Sequence, residues 1–135
     1  MKRMTLVALS FAILACPLLQ AQNRMTADIP FRFELGQKAM PAGHYDIYYK
    51  GPYLLIFQCQ AARESAAILT FPEEIKKAPE TAKLGFHRYG NNYFFAGIWQ
   101  AGSKAGLASW MTRREKELAA QAAAGPVTIA AKTAR

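Results

Sequence analysis

Residues 83–100, KLGFHRYGNNYFFAGIWQ, decide the fold class, because two apolar segments of strand length flank Gly90-Asn91. Glycine and asparagine tolerate the left-handed backbone angles that a tight hairpin turn needs. The stretch therefore predicts two antiparallel strands, residues 83–89 and 92–100.

Aromatic side chains occupy both faces of the second strand of this hairpin. Because side chains alternate along a strand, Tyr93, Phe95 and Trp99 are expected on one face, opposite Phe94 and Ile98. Such a strand is either packed on both faces or exposes an aromatic patch, and exposed apolar patches mark interaction sites. Both interpretations stay open; the candidate binding residues for the second are His87, Tyr89, Tyr93, Phe95 and Trp99.

Four earlier segments also have strand patterns and are separated by turn residues. They are residues 27–35, 44–50, 53–58 and 65–71. Pro30 lacks an N–H and suits an edge or a bulge in the first of them. Together with the hairpin, these segments predict a mainly β fold of about six strands, a small antiparallel β-sandwich or barrel formed by residues 22–108.

A helix is expected to follow the sheet, over residues 109–124, which are rich in good helix formers. Ser109 is one candidate cap, and Thr112 with Glu115 forms a rival capping box. Gly125-Pro126 stops the helix.

The apolar stripe of this helix is thin, so weak docking on the sheet is expected. Trp110 is the one large anchor, and the half from Ala119 onward is expected to fray or to serve a partner. Residues 125–135 are small and polar and are expected to form a disordered tail.

The N-terminus has the pattern of a secretory signal peptide, residues 1–21. Lys2 and Arg3 precede an apolar run, and Ala21 is a small residue at the expected cut site. Cleavage there predicts an exported protein, periplasmic or extracellular, with no transmembrane segment left. In the alternative, Ile13-Leu14-Ala15-Cys16 is a lipobox, and lipidation of Cys16 makes an outer-membrane lipoprotein.

The net charge is positive but spread along the chain. It is +8 for the whole sequence and about +6 without Lys2 and Arg3. No dense basic stripe is present, so nucleic acid is not an expected partner. A positive charge instead favours attraction to an anionic envelope surface or an envelope protein.

The sequence offers little chemistry for catalysis, and no cofactor or metal is expected. The two histidines, His44 and His87, lack the ligand spacing of known metal motifs. Cys59 is the one cysteine that would remain after cleavage at Ala21, and it is expected to be a small buried hydrophobic residue. We therefore expect a non-enzymatic binding or envelope-associated protein. The alternatives are a self-associating envelope component, or a hydrolase using His44 or His87 with Asp46.

Four motifs occur together in one order along the chain. They are Ile29-Pro30-Phe31-x-Phe33, Met40-Pro41-Ala42-Gly43-His44-Tyr45, the segment from Phe86 to Trp99, and Arg113-Arg114-Glu115-Lys116-Glu117-Leu118. This set resembles uncharacterised small secreted proteins of Acidobacteria-type soil bacteria. The resemblance implies an exported, β-rich bacterial protein and supplies no catalytic residue. Such proteins often carry an acidic residue where this chain has His44.

Overall fold

Mostly antiparallel strands build a mainly β protein in the computed structural model, which describes residues 24–134. The strands are β1 (Arg24–Ile29), β2 (Phe33–Leu35), β3 (Lys38–Met40), β4 (Gly43–Lys50), β5 (Leu54–Cys59), β6 (Glu64–Leu69), β7 (Phe71–Glu74), β8 (Lys83–Tyr89), β9 (Asn92–Trp99), β10 (Ala105–Ala108) and β11 (Gly125–Ala134). The helix α1 is Arg113–Gln121.

The sheet curls into a nearly closed barrel. From β1 it runs through β4 and β5 to β6 in one direction, and through β11 and β8 to β9 in the other. Thr70 alone separates β6 from β7, and β7 pairs with β10, which pairs with β9. The two arms of the sheet therefore meet through β7 and β10.

The barrel interior is filled with side chains, many of them aromatic. Phe33 of the β2–β3 hairpin packs edge-on against Tyr45 and Phe86, with ring centroids 5.3 and 5.4 Å apart. Phe57 packs in the same way on Phe95 at 5.1 Å. Burial of each such side chain is worth about 1.5–3 kcal/mol, so this interior is the main source of stability.

A β-bulge in β9 changes which face its residues occupy. Gly85 pairs with Gly97 while Phe86 pairs with Phe95, so Ala96 is the extra residue. Both Phe95 and Ile98 therefore belong to the core. The expectation that Trp99 shares a face with Phe95 is wrong, because the bulge reverses the alternation.

The number of strands is larger than the six expected. Residues 27–35 form two strands, because the chain leaves the sheet at Pro30. The segment 65–71 is divided at Thr70, and β3 and β10 arise in stretches that the sequence assigns to turns and loops. Strands of three or four residues carry too little alternation to be recognised from sequence alone.

The expectation of a disordered tail is also wrong for the described residues of that segment, because Gly125–Ala134 forms β11. It pairs with β1 on one side and with β8 on the other. Val127 and Ile129 pack against the core and Ala131 is buried. Residues 125–130 pair with β8 and residues 131–134 pair with β1, so each half of β11 is hydrogen-bonded to a neighbouring strand despite its small side chains.

The helix is shorter than the predicted 109–124. Thr112 is the N-cap, and its side-chain oxygen accepts a hydrogen bond from the Glu115 amide at 3.2 Å. Ser109 instead continues the β10 region, donating its amide to the Ala96 carbonyl. Trp110 packs on Phe71 but stays 59% exposed, so it is a weaker anchor than expected.

The N-terminal predictions concern residues outside the described range. The signal peptide, the Ala21 cut site and the Cys16 lipobox all lie there. Within residues 24–134, no helix combines the length and apolar character needed to span a bilayer.

Candidate binding groove

A groove of about 300 Å³ opens at the end of the barrel where the β8–β9 turn lies. The β2–β3 hairpin forms one wall, the turn forms the second, and the start of α1 forms the third. The polar side chains that line it and matter for its chemistry are Arg32, Glu34, Asn92 and Arg114, with Tyr93 beside them.

The helix start holds Arg114 at the groove wall. Its Nε lies 2.8 Å from Oε1 of Glu34, and its Nη2 donates to Oδ1 of Asn92 at 3.3 Å. The capping bond at Thr112 fixes the first turn and hence the direction of this side chain. Arg114 therefore links all three walls.

A buried carboxylate fastens the same helix turn to the barrel. Oε1 of Glu115 lies 2.8 Å from Nδ1 of His87 and accepts a hydrogen bond from the Tyr89 hydroxyl at 3.3 Å. Burial, together with the nearby Glu115 carboxylate, raises the pKa of Tyr89 above its ordinary value. These contacts cover Phe94, which is buried outside the main core and packs on Tyr89.

An aromatic and arginine stack borders the groove. The Tyr93 ring stacks on Phe31 with centroids 3.8 Å apart, and the Arg88 guanidinium lies 5.5 Å from the Tyr93 centroid. Arg88 also donates to the Gly90 carbonyl at 2.7 Å, which holds it at the turn. A cation over an aromatic face is attracted by the ring quadrupole.

The charge around the groove is positive. Arg32 and Arg114 line the groove together with the carboxylate of Glu34, and Arg88 lies at its border, over the Tyr93 ring. Arg32 is exposed and forms no ion pair with any residue in the range 24–134. Guanidinium groups bind carboxylates and phosphates through paired N–H donors, so the groove suits an anionic group.

The five predicted binding residues do not form one surface. Phe95 lies in the core, and Tyr89 and Trp99 are also buried, so these three do not face a ligand. Tyr93 lines the groove, and His87 is partly exposed but bound to Glu115.

Trp99 is buried because its indole covers glycines of neighbouring strands. A Cβ at Gly85 would lie 3.1 Å from its Cζ3, and one at Gly106 would overlap its Cδ1. The absent side chains leave room for the ring to lie close to the sheet.

The hydrolase alternative requires Asp46, but among the described residues Asp46 forms no hydrogen bond or ion pair with His44 or His87. Asp46 is buried next to Arg24, with Oδ1 3.1 Å from Nη2, and accepts from Gln60. His44 of β4 instead pairs with Asp28, the residue opposite it on β1. Nδ1 of His44 lies 2.7 Å from Oδ1 of Asp28. In the described part of the chain, no three His, Cys, Asp or Glu side chains are placed to hold a metal ion.

Cys59 is confirmed as a buried residue, 1% exposed and unpaired. Tyr45 lies close to it, and burial followed by the influence of Cys59 raises the pKa of this tyrosine. The Tyr45 hydroxyl donates to the Pro41 carbonyl. This pair is therefore part of the barrel core.

The arginines of the groove are not predicted from the sequence. Arg32 and Arg114 come from distant parts of the chain, and each is unremarkable within its own segment. The sequence places Asn91 in the turn and Asn92 at the start of a strand, and it indicates no binding role for either. A basic residue between aromatic ones, as in Phe31-Arg32-Phe33, is a signal that points to Arg32, whereas Arg114, between Arg113 and Glu115, has no such signal.

No protein-family model, curated protein or solved structure matches this chain. Its function is therefore inferred from the groove and the sequence pattern.

Proposed function

We propose that this chain is an exported, non-enzymatic binding protein of the bacterial envelope whose groove holds an anionic group of its ligand. The observation that carries the proposal is the placement of Arg32 and Arg114 in one concave site that is lined by the carboxylate of Glu34 and bordered by Arg88.

Two features make the groove suited to binding rather than to structural support. Arg32 is exposed, so its guanidinium is free to contact an incoming anion. Arg114 is already oriented by Glu34 and Asn92, so little side-chain entropy is lost on binding. A carboxylate or phosphate entering between them would displace solvent from both.

Export is supported by the sequence pattern of residues 1–21 and by the resemblance to small secreted bacterial proteins. An anionic envelope polymer or surface is the ligand class that an exported basic protein meets first. The lipoprotein form through Cys16 is the alternative location. Mass spectrometry of the exported protein distinguishes them: an N-terminus at Gln22 supports release, and a diacylated Cys16 supports the lipoprotein.

The binding proposal is tested by calorimetric titration of the exported protein with polygalacturonate and with inorganic phosphate. Uncharged dextran is the matched neutral probe. We expect binding to the anionic probes that weakens with salt. Arg32→Gln should weaken it about tenfold, or ~1.4 kcal/mol, while the exposed Lys132→Gln should leave it unchanged. Equal binding of dextran, or an unaffected Arg32→Gln, would contradict the proposal.

Hydrolysis is the alternative function, favoured only by the exposed His44–Asp28 pair. An assay of the protein in which His44 and His87 are both replaced by alanine tests it. Hydrolytic activity that survives in that variant would exclude a hydrolase that depends on these histidines.

A further inference from the structure

The exposed large apolar side chains of the described chain gather around one point of the sheet. Among residues 24–134 they are Tyr53, Leu69, Trp110 and Met111, with exposed fractions of 46%, 65%, 59% and 38%. Phe71, on which Trp110 packs at 4.8 Å, joins them. These five residues are here called the junction patch: four of them lie around the break between β6 and β7, and Met111 follows Trp110 in the chain.

The patch lies on the outer face of the barrel. Ile68 and Thr70 point inward and are buried, so Leu69 and Phe71 point outward. The Thr70 amide and hydroxyl both donate to the Tyr53 carbonyl, at 2.8 and 2.6 Å, which brings Tyr53 beside the junction. The patch is thus held in place by backbone contacts.

Strand addition at β7 is not the way a partner would use this region. Among the described residues β7 pairs only with β10, but Pro72 has no N–H to offer at its other edge. Glu73 and Glu74 are exposed on the same short strand, and charged residues protect an edge from further pairing. A partner therefore meets the side chains of the outer face.

Charges of both signs border the patch, and they decide between occupants. Lys50 of β4 lies opposite Leu54 of β5, which in turn lies opposite Leu69 of β6, so Lys50 is at the β4 edge of the patch. Glu73 follows Phe71 on the same side of β7. An anionic lipid surface would attract Lys50 but repel Glu73 and Glu74, whereas a second copy of the chain offers each charge its opposite.

We propose that a second copy of this chain docks on the junction patch to form a weak twofold dimer. An isologous interface needs a self-complementary surface, and an apolar centre with lysine and glutamate at its rim meets that need. The proposal is independent of the groove, since the patch contains none of the groove residues.

The size of the patch sets the strength of the dimer. With about 150–250 Å² for an aromatic side chain, the exposed fractions correspond to roughly 400 Å² of apolar surface per copy. Stable interfaces bury about 1,200–2,000 Å² in total. The dimer is therefore expected to form at micromolar or higher concentration and to dissociate on dilution.

Sedimentation velocity of the exported protein over a wide concentration range tests the proposal. The sedimentation coefficient of the wild type should rise toward that of a dimer, and Leu69→Ser and Trp110→Ser should abolish the rise. Lys50→Glu should weaken association at least several-fold, and adding Glu73→Lys should restore it. Lys132→Glu, an equal charge change elsewhere, is the control, and circular dichroism verifies that each variant is folded.

Three outcomes would overturn the dimer. One is a wild type that stays monomeric at every concentration. Another is association that Leu69→Ser leaves intact in a folded protein, or that Lys50→Glu leaves unchanged. The third is a monomer that binds phosphatidylglycerol vesicles through Trp110, which would make the patch a membrane surface.

Discussion

Glu115 of α1 and His87 of β8 join the helix to the barrel through a contact of 2.8 Å between Oε1 and Nδ1. The carboxylate is almost wholly buried, and the Tyr89 hydroxyl donates to the same oxygen. α1 also carries Arg114, so this contact fixes one wall of the groove as well as the helix.

Replacing Glu115 by alanine should therefore loosen the helix. We expect Glu115→Ala to lower the free energy of unfolding by about 1–3 kcal/mol, because the Tyr89 hydroxyl loses its acceptor. Glu115→Gln should cost less, since its amide oxygen still accepts. Urea unfolding measures both, and Glu117→Gln on the exposed side of the helix is the control. Wild-type stability in Glu115→Ala would contradict this assignment.

A side chain at Gly97 should disrupt the packing of Trp99. A Cβ there would lie 2.6 Å from Cη2 of Trp99 and 2.9 Å from the Leu107 carbonyl oxygen. We expect Gly97→Ala to cost roughly 1–3 kcal/mol through overpacking and to shift the tryptophan fluorescence. Gly125→Ala is the matched control, because its nearest neighbour would be 4.0 Å away. Equal stability of the two variants would show that Trp99 moves without cost.

The antiparallel hairpin and the helix cap are the parts that the sequence predicts well. β8 and β9 flank Gly90-Asn91 as expected, and Gly90 has the positive φ that such a turn requires. Thr112 is the predicted N-cap and accepts from the Glu115 amide, while the Glu115 carboxylate contacts His87 and Tyr89 and does not complete the capping box. These features depend on residues that are neighbours in the chain, so local rules are sufficient for them.

The features that the sequence does not predict depend on distant residues. β11 is a strand because β1 and β8 both pair with it, although Val127 and Ile129 are its only large apolar residues. Trp99 faces outward because one bulge reverses the alternation. The groove joins Arg32 to Arg114 only after α1 has docked, so no local pattern contains it.

Alkaline pH should destabilise the protein through its buried tyrosines. Burial raises the pKa of Tyr45, Tyr49 and Tyr89 above the ordinary value of about 10. The folded state thus holds these protons more tightly than the unfolded state. Their contribution to stability is complete below pH ~10 and is lost as pH rises toward the folded pKa.

Removing one of these hydroxyls should make the alkaline loss smaller. We expect Tyr49→Phe to flatten the decline in the free energy of unfolding above pH ~10, because one titrating group is gone. Guanidinium unfolding at a series of alkaline pH values measures the slope. The exposed Tyr53→Phe controls for the substitution itself. A Tyr49→Phe slope as steep as that of the wild type would show that this tyrosine has no part in the decline.

The last strand should prove essential, which reverses the expectation of a disordered tail. Ala131 is buried, and its amide donates to the Ala82 carbonyl at 2.8 Å. Ala131→Asp would place an unpaired carboxylate in the core, so we expect it to prevent stable folding. The exposed neighbour Ala130→Asp should be tolerated, because its side chain points to solvent. Hydrogen exchange of the wild type gives a second measurement: the Ala131 amide should be as protected as those of β8. Rapid exchange along β11, together with a folded Ala131→Asp, would mean that the barrel is complete without this strand.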